Sequence, residues 1–333
     1  IVSLFVPTTA EEGGIPPGDL RELITKSYAT FRHEDVTPLR RVSEHEWCLE
    51  LWHGPTFAFK DVALQLLGNL FEYFLARRNA TASNANRADR APHTLTVLGA
   101  TSGDTGSAAI AGLRSKENIH IFILHPRGRV SPIQEAQMTT VLDDNVHNLA
   151  VDGTFDDCQD IVKALFSDKA FNDQHHLGAI NSINWARILS QIVYYFAAFF
   201  ALRREQPQID ASSVQVVVPT GNFGDILAGY YAKRLGVPMS KLVVATNEND
   251  ILQRFWATGR YEKESASGEV RATLSPAMDI LVSSNFERLL WYLAHESDTE
   301  ADDKEEAAGQ QVTQWMHELK TRGSFAVSDA QWE

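Results

Sequence analysis

Strand-length apolar runs alternate with helical stretches through most of this chain, and that alternation limits the fold more than any other feature. Residues 93–98 read as a strand that enters a glycine-rich turn and then a small-residue helix, 107–113. Residues 119–124 are the next strand. A Pro126-Arg127-Gly128-Arg129 turn follows, and Ser131-Pro132 opens another helix. A strand at 148–151 and a helix at 156–166 repeat the pattern. Residues 214–218 are a valine run broken only by Gln215, as expected of a strand buried on both faces. That run enters a second glycine turn and the helix 226–235, and 242–246 is a further strand. Strands separated by helices make βαβ units and a parallel sheet, so the expected fold class is α/β.

The flanking segments read as follows. Residues 1–7 look like a strand end, and Pro16-Pro17-Gly18-Asp19 caps a helix from about Leu20 to Phe31. Residues 36–39 are extended, and 47–51 form a short strand. Residues 62–75 form a long helix, apolar nearly all round and therefore buried. Residues 79–92 and 260–267 read as polar loops, 178–184 as a polar loop leading into a long aromatic helix, 185–202. The acidic run 296–306 reads as a solvated face or a mobile loop, and helices at 286–294 and 307–320 complete the pattern.

At 333 residues the chain suggests about two domains. A net charge of −13, from 30 basic and 43 acidic residues, argues against a nucleic-acid or anionic-membrane surface. It leaves room for a small positive pocket. Two cysteines, Cys48 and Cys158, lie far apart and have no metal-ligand spacing, which fits a reducing compartment and a cytoplasmic location. The most apolar run, 192–202, is too short to span a bilayer. Monomer and homodimer are equally open.

One lysine stands out. Lys60 closes the stretch His53-Gly54-Pro55-Thr56-Phe57-Ala58-Phe59-Lys60-Asp61 and sits directly before the helix 62–75. Phe57, Phe59 and Val62 are expected to surround it with apolar groups, and a helix N-terminus disfavours a cation. Both effects lower a lysine pKa, and only the neutral amine attacks a carbonyl. The same spacing also suits a lysine whose ammonium snorkels past the rings to water, the commoner case for a short motif.

Two glycine loops share one context, a strand before and a helix N-terminus after. Backbone N–H groups and the helix dipole make such a place an anion site. In the first, made of Thr101, Ser102, Gly103, Asp104 and Thr105, the Ser102 and Thr105 hydroxyls add to the backbone donors, which suits a carboxylate or a phosphate. In the second, Gly221, Asn222, Phe223, Gly224 and Asp225 combine close backbone approach with an amide, and Asp225 also suits a helix cap. Either loop alone is as readily a structural turn. Together with Lys60 they are what pyridoxal phosphate and an amino-acid substrate require. Asn184 and Arg187, with Asn181 and Ser182, sit at a helix entry and suit an oxyanion or a cap equally. Arg127 and Arg129 suit a phosphate or a solvated turn. No Walker A or GxGxxG pattern, HExxH spacing or GxSxG elbow is present.

The stretches HGPTFAFKD, LGATSGDTG, PRGRVSP, INSIN and PTGNFGD occur here in the order and approximate spacing of the threonine synthases, and ATNENDI and LSPAMDI resemble further family segments. The resemblance is to the fungal and enterobacterial type, and covers nearly the whole chain. It implies fold type II of the pyridoxal-phosphate enzymes, similar to the tryptophan synthase β architecture, with two parallel or mixed sheets flanked by helices. It implies a remainder of an N-terminal region at 1–35, a larger cofactor domain from 36–92 and 203–333, and a smaller substrate domain at 93–202.

The activity implied is conversion of O-phospho-L-homoserine and water to L-threonine and phosphate, the last step of threonine biosynthesis. Lys60 would carry the cofactor as a Schiff base and move protons at the substrate. Residues 221–225 would hold the cofactor phosphate and 101–105 the substrate carboxylate, with Asn184 and Arg187 near the substrate phosphate. The 101–105 loop is expected to be more mobile without ligand. Family members extend beyond both ends of this sequence, and the later part supplies a hydroxyl residue near the pyridine nitrogen. The chain as given is therefore expected to keep the lysine and the phosphate loop but to turn over weakly or not at all. The other readings are a threonine-synthase-like phospho-lyase that releases a keto acid, and a non-catalytic remnant.

Overall fold

The computed structural model describes residues 1–84, 91–263, 270–297 and 303–328. The chain divides into two units, Ile1–Glu205 and Gln206–Glu333. The discontinuous larger domain expected from the sequence, 36–92 with 203–333, stays a proposal about the complete protein.

The first unit opens with a single 3-10 turn, Val2–Leu4, where a strand end was expected. Helix α1, Pro17–Tyr28, starts on Pro17, whose fixed φ and missing N–H suit a first helical position. Strands β1, Leu39–Arg41, and β2, Trp47–Leu49, pair antiparallel. Helix α2 runs from Lys60 to Asn84 and is longer than expected at both ends. Lys60 is its first residue, and 79–84, expected to be loop, continue it. Residues 85–90 of that expected loop lie outside the described residues.

Four βα steps follow. Strand β3, Leu95–Ala100, leads to α3, Asp104–Leu113; β4, Ile119–Pro126, leads to α4, Pro132–Thr139; β5, Val146–Val151, leads to α5, Phe155–Ser167, and α6, Lys169–His175. Strand β6, Leu177–Ala179, lies where polar loop was expected and leads to α7, Trp185–Glu205. The four strands form one parallel sheet in the order β5-β4-β3-β6. Period-two alternation sorts its side chains. Val97, Ile119, Ile121 and Ile123 face one way and pack with Leu64 and Leu67 of α2 and Ala109, Ile110 and Leu113 of α3. Leu98 and Leu124 face the other way and pack with Cys158, Val162 and Leu165 of α5. The sheet is thus covered on both faces, and each fully buried isoleucine contributes roughly 2 kcal/mol by leaving water.

Helices α2 and α3 cross with their backbones in contact. A Cβ at Gly68 would lie 2.1 Å from the carbonyl oxygen of Gly112, and one at Gly112 would lie 2.5 Å from that of Leu64. This crossing sets how closely the two helices lie against each other.

Helix α7 corrects an expectation. Its 21 residues are long and apolar enough to cross a membrane by length and composition alone. The reading from 192–202 missed this because Ala186, Ile188 and Leu189 extend the apolar stretch. Half of the helix's most apolar window is nevertheless buried inside the protein, and Arg187, Ser190 and Gln191 lie among its buried residues.

The second unit carries the parallel pair β7, Gln215–Pro219, and β8, Lys241–Ala245, linked through α8, Gly224–Arg234. The valine run is not buried on both faces as expected: Val218 is 4% exposed and Val217 63%. Helix α9, Ile251–Thr258, was not anticipated, and 260–262, expected to be loop, form β9, Arg260–Glu262. The rest of that expected loop, 264–267, lies outside the described residues. Helices α10, Phe286–Ser297, and α11, Lys304–Arg322, are joined through 298–302, the part of the acidic run not described. Strand β10, Ser324–Ala326, pairs antiparallel with β9. Phe255, Tyr261, Phe286, Trp315 and Phe325 are all buried and meet edge-to-face or in stacked pairs as this unit's core.

Candidate active site

In the first unit the turn before α2 is built to present Lys60. Asp61 ties the turn to the helix start. It is fully buried, its Oδ2 accepts from the Thr56 amide at 2.8 Å, and its Oδ1 accepts from the Thr56 hydroxyl at 2.7 Å. Burial pushes the Asp61 carboxyl upward, and the Thr56 and Ala58 donors act against that. Gly54 is required here, because a Cβ would lie 2.4 Å from that of Asp61. From the other side the Arg32 guanidinium donates to the Gly54 and Pro55 carbonyls. Arg32 also stacks over the Phe57 ring at 4.1 Å. Phe57, expected to wall in the lysine, is 59% exposed under this arginine, in a left-handed backbone conformation with φ 59°.

Lys60 itself is 8% exposed. Burial brings its ammonium down to about 8, opposed by Asp104 and assisted by the Arg187 cation. Its Nζ lies 3.7 Å from Asp104 Oδ2 and 5.7 Å from the Phe59 ring centre. Lys60 and Asp104 are the first residues of α2 and α3, and the glycine crossing of those helices sets their approach.

The loop 101–105 follows β3. Thr101 is buried, and its Oγ1 accepts from the amides of Gly103 and Gly106, both at 2.9 Å. Thr101 thus shapes the loop from within. Gly103 has φ 145°, a conformation side chains rarely adopt, and a Cβ there would meet the Gln134 amide at 2.2 Å. Ser102 is exposed, and Asp104 and Thr105 are half-buried. Asp104 accepts through Oδ1 from Gln134 Nε2 while Oδ2 faces Lys60.

Asn184 and Arg187 stand at the start of α7. Asn184 Oδ1 accepts from the Ala186 amide at 3.0 Å and its Nδ2 donates to the Ala179 carbonyl at 3.3 Å, so its side chain caps the helix. Arg187 is 3% exposed and donates to the Ile180 carbonyl at 3.0 Å, while its Nε has no hydrogen-bond partner. Burial lowers its guanidinium to about 10. Arg127 is a surface residue paired with Asp152 at 2.6 Å.

In the second unit the loop 221–225 joins β7 to α8. Phe223 takes φ 65° at the N-cap of α8, a strained conformation for a bulky residue, costing about 1–3 kcal/mol. Its buried ring packs on Phe286 with centroids 5.1 Å apart, which holds the strain in place. The sequence did not reveal what braces this loop. Ser283 Oγ donates to the Gly221 carbonyl at 2.5 Å, and the Asn285 amide and Nδ2 donate to the Asn222 carbonyl at 3.1 Å. A peptide's N–H points opposite its C=O. With these two carbonyls turned to Ser283 and Asn285, the amides of Asn222 and Phe223 face away from that brace, as an anion cradle needs. Asp225 lies in the first turn of α8.

The segments that resembled family signatures meet beside this loop. Asn247 Nδ2 donates to Asp279 Oδ1 at 2.7 Å, and the Thr273 hydroxyl donates to the same oxygen at 2.6 Å. Residues 277–280 pack on Gly221, where a Cβ would lie 3.0 Å from Ile280 Cγ1.

Each unit carries groups that suit pyridoxal phosphate. In the first unit two buried cations, Lys60 and Arg187, stand with Asp104, and an Arg187 N–H is left unpartnered, which is a site short of negative charge. Lys60 offers a buried amine with a depressed pKa, and 221–225 offers oriented backbone amides at a helix start. No group of three or more His, Cys, Asp or Glu side chains suited to a metal occurs among the described residues.

Comparison with known proteins agrees. The family model described as "Pyridoxal-phosphate dependent enzyme" matches residues 30–327. Threonine synthase of Saccharomyces cerevisiae is 60% identical over 317 residues, covering 94% of this chain and 59% of that protein. The crystal structure of threonine synthase from yeast superimposes with a TM-score of 0.87 at 56% identity, over 99% of this chain and 62% of that one. The pyridoxal-phosphate-bound threonine synthase from Brucella melitensis gives 0.81 at 46% identity, over 97% of this chain and 63% of that one. The chain spans about three fifths of the length of these relatives. It has the α/β fold of pyridoxal-phosphate enzymes of fold type II, and it belongs to the family of pyridoxal-phosphate dependent enzymes, where its resemblance is to the threonine synthases.

Proposed function

We propose that this chain is the greater part of a threonine synthase, which converts O-phospho-L-homoserine and water to L-threonine and phosphate. The observation that carries the reading is Lys60: a buried amine at a helix start, half neutral near pH 8, with one carboxylate at 3.7 Å.

In this reading Lys60 would hold pyridoxal phosphate at its aldehyde carbon, and 221–225 would take its phosphate. When bound, the cofactor supplies a conjugated ring that takes up the electron pair left by a departing proton. The chain's residues do the rest. When free, the Lys60 amine is a base with a pKa near the operating pH, the range in which proton transfer is most effective. It takes the proton from the substrate's Cα and then works at Cβ, before phosphate leaves from Cγ and water adds at Cβ. The loop 101–105 holds the substrate carboxylate, with Thr101 keeping its shape. Arg187, with an unpartnered N–H, is the group for the substrate phosphate, and Asn184 positions the helix start that carries it. The reading includes a cytoplasmic protein with no nucleic-acid or membrane partner.

The test is the visible absorption spectrum of the chain with pyridoxal phosphate, before and after borohydride, with Lys60→Ala alongside. A yellow band that reduction fixes on Lys60, and that the variant lacks, is the expected result. O-phospho-L-homoserine is then supplied, and threonine is assayed against 2-oxobutyrate. Threonine supports the synthase, 2-oxobutyrate alone points to a phospho-lyase, and a folded chain without the band sinks the reading.

A further inference from the structure

The PRGRVSP stretch has no role in the site as read so far, yet the residue three places after its serine reaches into it. Ser131 caps α4, and Gln134 follows at the spacing of a capping box, in which the glutamine would turn back to the capping residue's amide. Gln134 does half of this. Its backbone amide donates to Ser131 Oγ at 3.3 Å, and the same hydroxyl donates to Gln134 Oε1 at 2.9 Å. The other end of the side chain leaves the helix: Nε2 donates to Asp104 Oδ1. The amide fills the space that a Cβ on Gly103 would take, so the glycine and the glutamine fit each other. One oxygen of Asp104 is thereby engaged and the other faces Lys60 Nζ at 3.7 Å.

A half-exposed aspartate at a helix start has several rotamers open to it, and a loop meant for a substrate carboxylate is a poor place for a loose like charge. We propose that Gln134 is a positioning residue: by gripping Asp104 it holds that carboxylate on the Lys60 amine, making Asp104 the amine's resident counter-ion. The inference rests on the reading of Lys60 as the reactive amine. Two charged groups face Lys60 from the helices packed around it, Asp104 from α3 and Arg187 from α7, with opposite effects on its ammonium. Loosening Asp104 therefore leaves Arg187 and burial less opposed.

The test reads Lys60 in the whole chain by reductive methylation with formaldehyde and cyanoborohydride across pH, followed by peptide mass. Wild type should be half reactive near pH 8. Asp104→Asn should move that midpoint down by roughly one unit, the effect of losing a nearby opposite charge. Gln134→Met, of similar shape but without the amide, should move it the same way by a smaller step. The double variant should match Asp104→Asn alone, because Gln134 acts only through Asp104. A glutamine that merely packs would leave the midpoint in place. A wild-type midpoint in Gln134→Met, or fully additive shifts in the double variant, overturns the proposal. Should Gln134→Met not fold, Ser131→Ala frees only Oε1 and should give a smaller downward shift, with an unchanged midpoint again overturning it. Wild-type fixation of pyridoxal phosphate on Lys60, run in parallel, separates the two failures. Its loss overturns the reading of the lysine and this inference with it, whereas its presence with unmoved variants overturns the inference alone.

Discussion

Lys60 weakens the fold that presents it. Its ammonium is drawn from 10.5 to about 8 chiefly by burial, so the folded chain holds the charged form at a disadvantage. The unfolded chain binds the extra proton between those two values, so stability rises with pH there. Below pH 8 both states are protonated and the full disadvantage is present; above 10.5 both are neutral and it is gone. At about 1.4 kcal/mol per unit the effect is on the order of 3 kcal/mol. Lys60→Met should therefore unfold at higher urea than wild type at neutral pH, with the gap closing as pH climbs past 8. A variant less stable than wild type at neutral pH contradicts this. The residue was legible because a lone lysine among apolar neighbours at a helix start puts a cation where both burial and the helix dipole disfavour one. Its surroundings were less so. Phe57 reads as a wall residue in one dimension, but its left-handed backbone turns it out under Arg32. Gln134 looks like half of a capping box, and only the fold shows its amide reaching the other way.

At the level of elements, the approach of Lys60 to Asp104 depends on how α2 and α3 lie against each other, and that depends on Gly68 and Gly112. Any side chain at Gly68 drives a carbon onto the Gly112 carbonyl, inside a packed core where neither helix can move freely. Gly68→Ala should cost more than about 3 kcal/mol, beyond the usual range for overpacking. In a folded remainder it should also disturb the 3.7 Å approach of Lys60 to Asp104. Chemical denaturation measures the first effect, and the methylation midpoint of Lys60 the second. A loss under about 1 kcal/mol would show that the crossing has slack. The long periodic elements, α2 to α5 and β3 to β5, were readable from the sequence because burial writes a regular apolar pattern. The shorter ones were not. Strand β6 has three residues and includes Gly178, yet it is fixed by pairing with β3. Residues 79–84 lack an apolar face and are helical as the continuation of a long helix whose first ten residues are buried, with the Asn79 side chain accepting from the His93 amide at 2.8 Å. The Ser283–Asn285 brace looks like an ordinary polar helix cap, and nothing nearby in sequence ties it to Gly221.

For the whole chain, the proposed function asks for two separate things, a covalent bond at Lys60 and a phosphate cradle at 221–225. A covalent bond and a phosphate cradle fail differently. In that reading free phosphate reaches the cradle and Arg187 but makes no bond to Lys60, whereas pyridoxal phosphate uses the lysine and the cradle. A ligand that binds only the folded chain stabilises it by about 2.7 kcal/mol at a hundredfold over its Kd. Pyridoxal phosphate at that excess should raise the unfolding temperature of wild type by several degrees. Inorganic phosphate at concentrations that fill the loop should raise it less. Lys60→Ala should lose the difference and keep the phosphate effect, because the loop is shaped by Ser283, Asn285 and the Phe223 ring and owes nothing to the lysine. If Lys60→Ala loses the phosphate response as well, the loop is not an independent cradle and the lysine must be part of the phosphate site. If phosphate never stabilises wild type while pyridoxal phosphate does, the amides of 221–225 are not oriented as their braced carbonyls require, and the lysine alone carries the binding.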